Sequence, residues 1–168
     1  MRGGTFETRS EGTFIRIVKK NLIVYGKPLN QFLKSPFLLP ILSMKDLPEG
    51  FLVTYPHIPG NLEQQLSPAT SKVAERLTWR QYLITIYQVS EALEFLHSRN
   101  IAHGSVDPNN ILIDEYGNAR LGGCGLKRDT GLNRQEYVFV SLSTFEGTEG
   151  TKTDISMFGI TIWQILKE

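Results

Sequence analysis

Short apolar runs dominate the first third of the chain, and three- and four-residue steps take over in the middle. Residues 1–12 are small and polar and predict a loop or frayed end. Residues 14–18 (FIRIV) are β-branched with weak alternation, which predicts a strand ending at Lys19 and Lys20. Residues 21–25 (NLIVY) predict a second strand or a helix start, broken by Gly26 and Pro28, and 29–34 predict a short helix. Runs 37–43 and 51–55 predict the two arms of a hairpin, with Pro48 and Gly50 in the turn. Pro56, Pro59 and Gly60 end the sheet pattern. Asn61 then caps a short helix to about Leu66, and 67–76 form a polar linker.

Thr78 followed by Gln81 has the spacing of a capping box. Beyond it Tyr82, Ile86, Val89, Leu93 and Leu96 form a helical stripe, widened by Leu83, Tyr87 and Phe95. This predicts a long helix ending near Arg99 and Asn100. Residues 101–126 follow as a polar loop, two short strands (111–113 and 118–121) around a turn, and a glycine elbow at 122–125. Residues 126–153 predict a long loop. Asp154 is expected to cap a last helix, 155–166, with Ile155, Phe158, Ile162 and Ile165 on its apolar face. Sheet first and helices later indicate an α+β protein.

At 168 residues and 40% apolar content, the chain suits one domain or most of one. A net charge of +1 gives no electrostatic reason to expect nucleic acid or an anionic membrane as partner. The single cysteine excludes an intrachain disulfide, and the N-terminus has no secretory apolar core. The apolar stretches are too short to span a bilayer. The expectation is a cytoplasmic protein, with the nucleus left open.

The polar loop carries the most specific signal. His103-Gly104-Ser105-Val106-Asp107-Pro108-Asn109-Asn110, followed by Ile111-Leu112-Ile113, resembles the catalytic loop of the eukaryotic-type protein kinase domain, H-R-D-L-K-P-x-N. The preceding helix ends Leu93-Glu94-Phe95-Leu96-His97, as in that family. The hairpin 110–121 has the family's length, and Asp154-Ile155-Ser156-Met157-Phe158-Gly159 is similar to its D-x-W-S-F-G helix start. Residues 51–66 resemble the last N-lobe strand, the hinge and the first C-lobe helix. The resemblance implies a two-lobed kinase-like fold with a truncated, sheet-rich N-lobe and an incomplete helical C-lobe. An N-lobe remnant and hinge would cover about 13–57 and a C-lobe portion about 58–168. The chain would be about two-thirds of a full domain, a fragment or shortened product.

The departures from that pattern bear on chemistry. Ser105 stands where the family has the Asp that orients and accepts the proton of the substrate hydroxyl, and a serine hydroxyl is a very poor base. Asp107 replaces the loop lysine and reverses its charge. Gly123, in Gly123-Cys124-Gly125, replaces the Asp that holds magnesium. Asn110 remains, but one neutral amide is a poor magnesium site. Residues 2–6 are the one candidate for a glycine-rich phosphate loop. Lys19 or Lys20 would be the phosphate-binding lysine, and Thr54, Leu112 and Asn110 would face a nucleotide. No acidic residue lies between Glu11 and Asp46, so that lysine lacks its carboxylate partner. Pro56, near the hinge, has no N–H to offer adenine.

The remaining roles are structural by the same resemblance. His103 is a spine residue, Cys124 fills the place of an apolar Phe, and Asn110 braces the loop backbone. Asp107 makes the turn before Pro108, and Asp154 holds the loop backbone. His57 and His97 receive no role. The expectation is a catalytically impaired, pseudokinase domain acting as a protein-binding scaffold or regulator, its partner an active kinase or a signalling complex. No cofactor is required; ATP binding is left open and magnesium is not expected. The competing expectation is a divergent serine/threonine-type kinase that binds ATP and transfers phosphate weakly, with Asp107 as base or metal ligand.

Overall fold

Residues 13–19 (TFIRIVK) and 50–56 (GFLVTYP) are rich in β-branched and aromatic side chains, and they pair at the centre of a sheet. The computed structural model describes residues 7–10, 12–19, 33–48, 50–67, 77–124 and 148–167. Its elements are β1 (Glu7–Ser10), β2 (Thr13–Lys19), β3 (Ser43–Leu47), β4 (Gly50–Pro56), β5 (Gly60–Asn61), α1 (Leu62–Leu66), α2 (Trp79–His97), β6 (Ile111–Ile113), β7 (Ala119–Leu121) and α3 (Thr148–Leu166). One antiparallel sheet has the order β1-β2-β4-β3 and a smaller one β5-β6-β7. The architecture is α+β, with sheet first and helices after, as expected. The elements anticipated within 21–32 and the linker at 68–76 lie outside the described residues.

The first sheet departs from expectation twice. Residues 7–10, expected to be loop, form β1. Ser10 pairs with Thr13, so only residues 11 and 12 connect the strands, and Gly12 supplies φ +70° for that tight turn. The hairpin arms are also shifted, because the first arm is Ser43–Leu47 rather than 37–43. Run 37–42 contains Pro40, which cannot donate to a ladder, and it serves as a buckle instead. Leu38 and Leu39 are buried there. The Leu39 N–H donates to Leu121 O at 2.9 Å, and the Leu121 N–H donates to Phe37 O at 2.8 Å. Phe51, Val53 and Tyr55 of β4 face one side at period two. With Leu39 they form a small core, against which Leu112 of β6 packs.

Asn61 and Gln64 make a reciprocal capping box at α1, as Thr78 and Gln81 do at α2. The buried face of α2 is Tyr82, Thr85, Val89, Ala92, Leu93 and Leu96. Leu83 and Tyr87 are 49% and 58% exposed, so they do not widen the stripe as the pattern suggested. The helix stops at His97, short of the expected end. Asn100 takes a left-handed φ of 56°, and the Ile101 N–H turns back to Leu96 O at 3.0 Å.

The last helix starts at Thr148, so Asp154 is inside α3 and does not cap it. Its inward face carries Asp154, Phe158, Thr161 and Ile165, while Ile155 is 56% exposed. Residues 125–147, most of the expected long loop, lie outside the described residues. Leu93, Leu96, Ile111, Leu121, Phe158 and Ile165 join in one core, each burial stabilising by roughly 1.5–3 kcal/mol. The loop 101–110 threads through this core: Ala102, His103 and Val106 are all at most 1% exposed.

Candidate functional site

A polar loop buried in an apolar core must find partners for its backbone. Asp154 supplies two of them. Its Oδ2 accepts from the His103 N–H at 2.7 Å, and its Oδ1 accepts from the Gly104 N–H at 2.8 Å. Its Oδ2 is also 2.8 Å from Nε2 of His97, the last residue of α2. Asp154 is fully buried, so this carboxylate depends on those three contacts for compensation. The His97 contact spans 57 residues of sequence, and nothing in the local pattern announced it.

His103 is 0% exposed and uses both ring nitrogens. Nε2 donates to Gly122 O at 3.0 Å, and Nδ1 accepts from the Ser105 N–H at 3.2 Å. That arrangement requires the neutral ring. Burial holds its pKa below the ordinary histidine value, against the opposing pull of Asp154.

Ser105 is 6% exposed, and its hydroxyl accepts from Asn110 Nδ2 at 2.8 Å. The same Nδ2 donates to Ser105 O at 2.7 Å and lies 3.4 Å from Asp107 Oδ2. Asp107 Oδ1 accepts from the Asn109 N–H at 2.8 Å, and Asp107 O accepts from the Asn110 N–H at 2.9 Å. This is an Asx-type turn that closes on itself. The Asn110 amide is thereby turned toward the loop, leaving Oδ1 on the side of Gly123.

Gly123 has φ +79°, and a Cβ there would come within 3.3 Å of Asn110 Oδ1. A side chain here would have to adopt a left-handed backbone, and the Asn110 amide would have to give way by a few tenths of an ångström. Cys124 is buried, and burial, aided by the charge of Asp154, pushes its thiol pKa far up, so it is not a ready nucleophile. Among the described residues, no group of three or more His, Cys, Asp or Glu side chains is placed to hold a metal.

The nucleotide-facing candidates are less gathered. Lys19 ends β2 opposite Gly50, whereas Lys20 and residues 2–6 lie outside the described residues. Thr54 is half-buried in β4, and its carbonyl accepts from the Leu42 N–H at 2.8 Å. Leu112 packs on the Phe51–Val53–Tyr55 cluster, joining the two sheets. At the end of β4, Pro56 has no N–H. The next amide, that of His57, donates to Gly12 O at 2.9 Å. Of the two histidines the sequence left without roles, His97 makes a side-chain contact and His57 a backbone one.

Residues 20–168 match the family model described as protein tyrosine and serine/threonine kinase. The chain is 32% identical over 149 residues to the L-type lectin-domain containing receptor kinase V.7 of Arabidopsis thaliana, covering 80% of this chain and 22% of that protein. It is 29% identical over 109 residues to the Arabidopsis CBL-interacting serine/threonine-protein kinase 2, covering 58% of this chain and 23% of the relative. It is 38% identical over 85 residues to the serine/threonine-protein kinase mos of Gallus gallus, covering 44% and 24%. The chain thus spans less than a quarter of the length of each of these three relatives. Among the described residues, no helix is long and apolar enough to cross a membrane.

Proposed function

This chain belongs to the protein tyrosine and serine/threonine kinase family, and we propose that it is a member that has lost phosphoryl transfer and acts by binding another protein. Residues 13–57 act in this reading as an N-lobe remnant with its hinge, and 58–168 as the C-lobe portion. Phosphoryl transfer depends on positioning and on neutralising phosphate charge. The observation that carries the proposal is the closed Ser105–Asp107–Asn110 cluster beside Gly123. The base position holds a buried hydroxyl bonded to Asn110, and the cation position holds a carboxylate engaged in its own turn. The main metal-ligand position has no side chain, and one placed there would press on the Asn110 amide. Removing a base, a cation and a metal ligand takes away several kcal/mol of transition-state stabilisation, a rate loss of roughly a thousandfold or more.

The framework that would present a binding surface is the loop held by Asp154 and by the apolar core around it. The partner fits best as an active kinase or a signalling complex, since the relatives are kinases. A cytoplasmic setting belongs to the same proposal and accords with Cys124, which is buried and free.

Magnesium gives the discriminating experiment. Thermal unfolding of the full chain in millimolar ATP should be the same with and without magnesium. A magnesium-dependent rise in Tm that disappears in Asn110→Ala would contradict the proposal.

A further inference from the structure

β4 lies between β2 and β3, and on the kinase-like reading a flat heterocycle would pair by hydrogen bonds with the backbone just past its end. Pro56 has no donor there, which makes the His57 N–H the first one available after Tyr55. That N–H is engaged with Gly12 O at 2.9 Å. The strand register explains the contact. β2 stays paired with β4 as far as Thr13↔Pro56, so the β1–β2 turn reaches one residue past the strand end and lands on residue 57. Gly12 has φ +70°, and a Cβ there would meet nothing within 4 Å. The backbone direction, not crowding, is what calls for glycine.

We propose that the β1–β2 turn is a built-in plug: the Gly12 carbonyl occupies the backbone donor that a purine base would use and keeps nucleosides out of the cleft. The inference rests on the kinase-like reading of residues 54–57. It is independent of the loss of phosphoryl transfer, because a nucleoside carries no phosphate and needs no metal or loop cation.

Adenosine is therefore the probe, titrated against the full chain and against two full-length variants, Gly12→Val and Gly12→Pro. A β-branched side chain resists φ +70°, and proline forbids it. Circular dichroism checks that each variant is folded. The unsubstituted chain should show no saturable response. A folded variant should bind adenosine at least tenfold more tightly than the unsubstituted chain, and adding His57→Pro should abolish that gain. The plug is overturned if the unsubstituted chain binds adenosine as tightly as the variants, or if the folded variants bind no better. If neither variant folds, amide exchange at His57 in the unsubstituted chain decides. Slow exchange, unchanged by adenosine, supports the plug; exchange at the rate of an open loop overturns it.

Discussion

The two sides of the loop at 101–110 have been treated differently. On the α3 side, Asp154 is fully buried and ties His103, Gly104 and His97 into one network with contacts of 2.7–2.8 Å. On the opposite side, Ser105, Asp107 and Asn110 bond among themselves, and Gly123 contributes only backbone. One side holds the fold and the other is where family chemistry would sit. The loop's shape is fixed from the α3 side, and on the proposed reading that shape is kept without the family's chemistry.

The contrast can be broken most directly at Asp154. Asp154→Ala leaves one buried and one half-buried N–H without this acceptor and should cost about 3–5 kcal/mol in urea unfolding. A loss below about 1 kcal/mol would mean that the loop is held elsewhere.

The next largest effect is expected on the other side. Gly123→Asp restores the family's acidic residue, but at φ +79° and against Asn110 Oδ1. It should destabilise by about 1–3 kcal/mol and confer no magnesium affinity, measurable by denaturation and by calorimetry with magnesium. Stable folding with new magnesium binding would show that this position can hold the metal once a carboxylate is present.

Acidification tests the buried side again. The folded pKa of His103 lies below its ordinary 6.5, so at mildly acid pH the unfolded chain binds the proton more readily than the folded one. The stability contributed by this neutral ring is complete above about pH 6.5 and is lost as pH falls toward the folded value, at up to about 1.4 kcal/mol per pH unit. Urea midpoints measured from pH 7.5 to 5.5 should fall, and less steeply in His103→Gln. Equal slopes would remove His103 from the account.

Ser105→Ala should matter least. Asn110 Nδ2 keeps its bond to Ser105 O, so the cost should stay below about 1 kcal/mol. A larger loss would make the hydroxyl part of the framework.

Much of this framework could be read from the chain. The cap at Asn61, the capping box at Thr78, the α2 periodicity and the 111–121 hairpin are local signals, and local signals survive folding. The run 37–42 misled because its apolar residues serve two clusters at once, which periodicity cannot distinguish from a strand. Asp154 looked like a cap because Asp before an apolar run usually is one, yet its helix begins earlier and turns it inward. His97–Asp154 and His57–Gly12 join residues 57 and 45 positions apart, and no local pattern encodes such pairs. The departures from the family pattern were visible as residue types at 105, 107 and 123. The crowding that would oppose restoring Gly123 was not, since it depends on the position of Asn110.

Phosphate transfer tests the central claim. The full chain, incubated with terminally labelled ATP, magnesium and a general protein substrate, should label neither itself nor the substrate above a control without it. Transfer above that control, abolished by Asp107→Asn, would contradict the account and make Asp107 a working base.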